Sequence, residues 1–225
     1  MVLIESQSVS NGWIKVCNHL ITNGTRVGNI IEELNLMLEI NSFEFDKDFD
    51  LKFRSVFGDD RIDFASSVSF VKPKELNGYI FYEFIKDKWF KTYWGRMIKW
   101  NGEFNQVENV IKILRNGKSV KRCELIIYDP SRDSKNPYSQ PCLMMIDLKP
   151  RNGKLYLTSI LRSNRVSKSG YADFYSMVEL GKFLSNQSNL ELGKVSILSC
   201  SSHLGTMNGE LKKTKKLLSL LGCVE

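Results

Sequence analysis

The stretch 142-CLMMIDLK-149, followed by Pro150-Arg151-Asn152-Gly153 and then 154-KLYLTSILRS-163, constrains the fold more than any other part of the chain. Two apolar, strand-forming runs separated by Asn-Gly predict a hairpin, because both turn residues tolerate the positive φ that a two-residue connection demands. A chain with such a hairpin carries a sheet in its second half.

The other elements arrange themselves around it. The run 10-SNGWIKVCNHLITNG-24 places Trp13, Val16, Cys17, Leu20 and Ile21 at helical spacing, with Asn23-Gly24 as a stop. The segment 28-GNIIEELNLMLEI-40 turns to alternation after Glu33 and predicts a strand. Residues 106-QVENVIKILRNG-117 carry Val107, Val110, Ile111 and Leu114 on one helical face, and 120-VKRCELIIYDP-130 predicts a short strand closed by Asp-Pro. A helix over 172–187, an alternating strand over 193–204 and a final amphipathic helix with a basic face over 208–222 complete an α+β pattern, with several strands of one sheet in the second half. With 225 residues, 42% of them apolar, and no repeat or linker composition, the expectation is a single domain spanning 1–225. No apolar run approaches the roughly 20 residues that span a bilayer, and the start lacks a signal-peptide pattern, so a soluble, cytoplasmic protein is expected.

Five cysteines without a CxxC pair, and two histidines far apart in sequence, point to neither a disulfide framework nor a metal site. The formal charge of +7 suits an anionic partner, yet Lys and Arg are spread along the chain, so a small phosphorylated ligand competes with nucleic acid.

One constellation bears chemistry. A cysteine becomes a strong nucleophile when nearby positive charge lowers its pKa. The hairpin returns Arg162-Ser163 beside the strand that begins at Cys142, and an arginine next to a hydroxyl can cradle a phosphate. The residues by themselves leave two readings open: a nucleophile facing an anion site, or a quiet thiol at a strand start.

Pro141-Cys142, Arg162-Ser163, Asp173 and His203 resemble, in one ungapped register of 62 residues from Cys142 to His203, the second half of the thymidylate synthase and deoxycytidylate hydroxymethylase family. Lys121-Arg122 is similar to that family's basic pair on a strand ahead of the cysteine, and Tyr93-Trp94-Gly95-Arg96 to its earlier Tyr-Gly motif. The resemblance runs from about Tyr79 to His203; before that only the order of helix and strand matches. It implies a thymidylate synthase-like fold with one mixed or antiparallel sheet flanked by helices. It implies that Cys142 adds to C6 of a pyrimidine nucleoside monophosphate, so that C5 attacks the one-carbon unit of 5,10-methylenetetrahydrofolate. Arg162 and Ser163 would bind phosphate, Lys121 and Arg122 would reach the partner's phosphate across a homodimer, and His203 would contact the sugar. Glu83, in 80-IFYEFIKDK-88, would be the catalytic glutamate, with a solvent-facing helical glutamate as the alternative.

Asp173 stands where thymidylate synthases carry an asparagine that reads uracil and cytosine-nucleotide hydroxymethylases an aspartate. A carboxylate accepts from the exocyclic amine of cytosine but meets the O4 of uracil acceptor to acceptor. The resemblance therefore implies (d)CMP hydroxymethylation. A helix N-cap is the other reading of Asp173. Two departures fall on the cofactor and sugar side: Arg165 replaces an aspartate that helps hold the folate pterin, and Gly205 replaces a tyrosine at the sugar 3′-hydroxyl. They leave thymidylate synthesis from dUMP, and a non-catalytic homologue that binds nucleotide or nucleic acid, as alternatives.

Overall fold

The computed structural model describes residues 1–58, 92–117, 121–135 and 140–223. Its described elements are β1 (Val2–Ser6), α1 (Val9–Asn23), β2 (Thr25–Val27), β3 (Ile30–Ile40), α2 (Lys47–Phe57), α3 (Tyr93–Ile98), α4 (Gln106–Asn116), β4 (Glu124–Ile126), α5 (Pro130–Asp133), β5 (Leu143–Arg151), β6 (Lys154–Leu161), β7 (Asn164–Arg165), a π-helical turn (Val166–Gly170), α6 (Tyr171–Gln187), β8 (Glu191–Gly205) and α7 (Glu210–Leu220). The described strands form one mixed sheet in the order β1-β3-β8-β6-β5-β4, with β2 against β3 and β7 against β8. The α+β expectation holds. The chain divides into two compact units, 1–65 with 161–175 and 196–225, and 66–160 with 176–195.

In the first unit, β1 and β3 run parallel, Ile4 level with Leu38, and α1 crosses between them in sequence. Ser8 caps α1 by accepting the Asn11 N–H at 3.1 Å. The helix buries Trp13, Val16, Cys17 and Leu20, the face its 3.6-residue spacing predicts. Trp13 is the hub of an aromatic cluster: Phe49, Phe53 and Phe57 of α2 meet its ring edge-on at centroid distances of 5.7, 5.5 and 6.2 Å. The indole N–H donates to the Val166 carbonyl at 3.0 Å, which fixes the π-helical turn. Tyr171 stacks on the same cluster, 4.9 Å from Phe49, and its burial, with Asp50 and Asp46 nearby, pushes the phenol pKa up.

In the second unit, Asn152 (φ 50°) and Gly153 (φ 76°) both occupy the left-handed region, and β5 and β6 are sheet neighbours joined by that turn. This is the hairpin the Asn-Gly pair predicts. β4 pairs antiparallel with β5, Leu125 level with Ile146. Helix α4 starts at the Asn105 cap, ends at Gly117 with φ 61°, and buries Val107, Val110 and Leu114. Its first residue, Gln106, is buried and takes both backbone groups of Ile126: Nε2 donates to the carbonyl and the N–H donates to Oε1, each at 2.8 Å. Arg96 of α3 donates two hydrogen bonds to Asp133, at 2.6 and 2.8 Å, and one to the Ile127 carbonyl at 2.8 Å. These contacts lock α3 against the segment that leaves β4.

Candidate functional site

Cys142 lies in the second unit, one residue before β5, with its residue half-buried. Its backbone N–H donates to the Tyr93 hydroxyl at 3.1 Å, and the Leu143 N–H approaches the same oxygen at 3.4 Å. One phenol thus pins the backbone at the strand mouth, and the Arg96–Asp133 ion pair anchors the short helix that carries it. Sequence reading had Tyr93 only as part of a motif; an acceptor 49 residues upstream leaves no periodic signal. Of the other cysteines, Cys17 and Cys123 are buried, and burial pushes their thiols up, that of Cys123 to about 11. Cys200 and Cys223 are exposed.

Lys121 and Arg122 are exposed and precede β4 instead of standing on it. The ladder to β5 begins only where the Leu148 N–H meets the Cys123 carbonyl at 2.9 Å, which corrects the expected strand position of the basic pair. Glu83 lies outside the described residues.

The first unit holds Arg162, Ser163, Asp173 and His203. Arg162 follows β6 directly and is exposed, with Ser163 half-buried beside it. Asp173 is the third residue of α6, which continues without a break from the π-helical turn. It is therefore not an N-cap, and the helix start, held by Tyr171 in the aromatic cluster, sets where its carboxylate lies. His19 of α1 pairs with Glu33 of β3 at 3.1 Å.

The two departures prove to be parts of one network. Arg165 donates Nε and Nη2 to the Glu210 carboxylate at 3.0 and 2.9 Å, and Ser167 Oγ donates to the same carboxylate at 3.0 Å. Gly205 N–H donates to Ser167 Oγ at 3.1 Å. A Cβ at residue 205 would stand 2.4 Å from Glu210 Oε2 and 2.8 Å from Arg165 Nη2, so the fork and a side chain at 205 exclude each other. The positive charge at 165 is thereby compensated by a buried carboxylate 45 residues downstream, a pairing that sequence order alone does not reveal.

β7 and β8 run parallel with Arg165 level with His203. Burial, then the Arg165 charge, holds the imidazole below its ordinary pKa, against the opposing pull of Glu32, Glu210 and the Ser201 backbone. Its Nδ1 is buried without a hydrogen-bond partner, as are Asn164 Oδ1 and Ser202 Oγ on the same strand pair. The unfolded chain takes up this proton at about pH 6.5 and the folded chain only at lower pH. Stability from this group is complete above the unfolded value and is lost as pH falls through it toward the folded one. The denaturation midpoint is expected to drop between about pH 7 and pH 5, with a shallower drop in His203→Gln measured by urea titration.

Among the described residues, no group of three or more His, Cys, Asp or Glu side chains is placed to hold a metal ion. Curated relatives match over nearly the whole chain. A protein of Methanococcoides burtonii named "Putative thymidylate synthase" is 27% identical over 210 residues, 90% of this chain and 88% of that protein. Proteins of the same name from Methanosarcina mazei and Methanothermobacter marburgensis are 26% and 24% identical, covering 90% and 96% of this chain and 88% and 97% of their own lengths. The α+β fold, one mixed sheet flanked by helices, is consistent with that similarity. No family model matches the chain.

Proposed function

We propose that the protein transfers a one-carbon unit to C5 of a pyrimidine nucleoside monophosphate, and that the reaction is 5-hydroxymethylation of (d)CMP. The observation that carries this reading is Cys142: a half-buried thiol at a strand mouth, its backbone pinned by Tyr93, in a chain similar over nine-tenths of its length to proteins named for thymidylate synthesis. Cys142 Sγ adds to C6, and C5 gains the electron density to take the one-carbon unit. Loss of the C5 proton to a base and departure of the one-carbon carrier would leave an exocyclic methylene, to which water would add as the Cys142–C6 bond breaks. Glu83 handles protons at the base, and Asp173 accepts from the cytosine amine. Arg162 and Ser163 hold the phosphate, and His203 meets the sugar.

The one-carbon donor in this reading is 5,10-methylenetetrahydrofolate, a reduced folate. Residue 165 offers no carboxylate to a pterin, because Arg165 stands there with Glu210 engaged by it. The fit on the nucleotide side does not extend to that donor contact.

The proposal takes residues 1–225 as one catalytic domain acting as a homodimer, with Lys121 and Arg122 reaching the partner's phosphate. Their exposure supports that role. Among the described residues no helix is long and apolar enough to cross a membrane, and a cytoplasmic location completes the proposal.

Release of tritium from C5 tests the reading. Labelled CMP or dCMP is expected to lose tritium in the presence of the donor, and release from dUMP alone would overturn the role of Asp173. In Asp173→Asn the preference is expected to move toward dUMP by about a hundredfold in kcat/KM, since the amide can donate to O4. The relatives' printed name favours one second reading, thymidylate synthesis from dUMP.

A further inference from the structure

We propose that Arg165 and His203 together read the cis-diol of a ribose, so that the site takes CMP in preference to dCMP; this rests on the nucleotide reading above. The two residues are level on the parallel pair β7–β8, and level residues project from the same face of a sheet. Glu210, only 6% exposed in its side chain, grips Nε and Nη2 of Arg165, while the arginine side chain is 38% exposed. The bidentate grip fixes the plane of the guanidinium and leaves Nη1 without a partner among the described residues.

The charge balance decides what such a group can bind. A guanidinium paired with a buried carboxylate is neutral as a unit, which makes it a poor phosphate site and a good directed donor to an uncharged oxygen. Level with it on the neighbouring strand stands a half-buried imidazole, which burial and the Arg165 charge hold below its ordinary pKa and whose Nδ1 is enclosed without a partner among the described residues. A hydroxyl both donates and accepts, so it suits an imidazole nitrogen in either neutral tautomer. A guanidinium and an imidazole on level residues of one sheet face therefore match two neighbouring hydroxyls. A deoxyribose offers one of them.

Gly205 belongs to the same device. Any side chain there would collide with Glu210 Oε2 or Arg165 Nη2 and displace the fork. Ser167 Oγ donates to Glu210 Oε2 as well and accepts the Gly205 N–H, which braces the carboxylate. The two residues that depart from the resemblance replace one hydroxyl-bearing side chain by a braced guanidinium.

Calorimetric titration of the full chain with CMP, dCMP and arabinosyl-CMP tests this. CMP is expected to bind about tenfold more tightly than dCMP, the value of one directed hydrogen bond, with arabinosyl-CMP close to dCMP because its 2′-hydroxyl is trans. Arg165→Lys keeps a cation for Glu210 but has no second amino group, and is expected to bring the CMP-to-dCMP ratio toward one. Equal or tighter binding of dCMP to the native protein overturns the inference and leaves the reading of the function standing. Arabinosyl-CMP binding as well as CMP, or an Arg165→Lys variant that keeps the native ratio, also overturns it. Binding of none of the three removes both.

Discussion

A 5-fluorinated cytidine monophosphate, incubated with the protein and the one-carbon donor, is expected to add a covalent nucleotide mass to the chain, and Cys142→Ser is expected to abolish that adduct. Fluorine at C5 cannot leave as a proton, so the reaction halts after Sγ has bonded to C6 and the complex persists to be weighed. Serine preserves the shape at the mouth of β5, and the Cys142 and Leu143 N–H groups that meet Tyr93 are main-chain groups untouched by the change. What is lost is a thiol, exchanged for a hydroxyl that is a far weaker nucleophile. Turnover is expected to fall by about a thousandfold or more, the usual scale for losing a covalent nucleophile. The remaining cysteines provide the internal control: Cys17 and Cys123 are buried, and Cys200 and Cys223 lie on the surface. An adduct that survives in Cys142→Ser, mapped to any of these four by peptide mass analysis, would sink the assignment.

Asp133→Ala is expected to destabilise the protein by about 3–5 kcal/mol in urea denaturation, the cost of leaving one partner of a buried ion pair uncompensated. Arg96 is 5% exposed and Asp133 3%, so water does not replace the lost carboxylate. Burial alone would raise the Asp133 pKa. The Arg96 hydrogen bonds, the Asp129 N–H and the charges of Arg96 and Arg132 outweigh it and hold the carboxyl below its ordinary range. Its contribution is therefore present above the unfolded value near pH 4 and is lost as pH falls toward the folded one. Removing both charges in Arg96→Met/Asp133→Leu is expected to recover a large part of the loss, because the penalty arises from the orphaned charge. Since α3 also carries Tyr93, Asp133→Ala is expected to lower turnover beyond what its unfolded fraction explains. A single variant as stable as the native chain would refute the role given to this pair.

The parts of the fold legible in the sequence are those with short-range causes. The β5–β6 hairpin follows from two adjacent residues that accept positive φ. The helices α1, α4 and α6 follow from apolar spacing, with Ser8 capping α1 and Asn105 and Gly117 capping α4. Illegible were contacts made by single side chains over long separations: Gln106 completing Ile126, Tyr93 holding Cys142, and Glu210 compensating Arg165. The last changes the meaning of a residue. As sequence, Arg165 reads as a foreign charge on the cofactor side; as structure, it is half of a neutral pair. Asp173 likewise carries a cap reading beside the favoured base-reading one until the π-helical turn shows the helix already under way before it. Lys121-Arg122 shows the limit from the other side, since a basic pair near a strand does not reveal where the ladder begins.

Gln106 has a further consequence for how the chain survives at high concentration. Among the described strands β4 is the last in the order of the sheet, and a terminal strand with bare amides invites a second molecule to extend it. By occupying both the N–H and the carbonyl of Ile126, one buried amide does what another strand would do, while offering no onward edge of its own. The sheet is closed there by a side chain, and chain-to-chain strand addition is deprived of its template at Ile126.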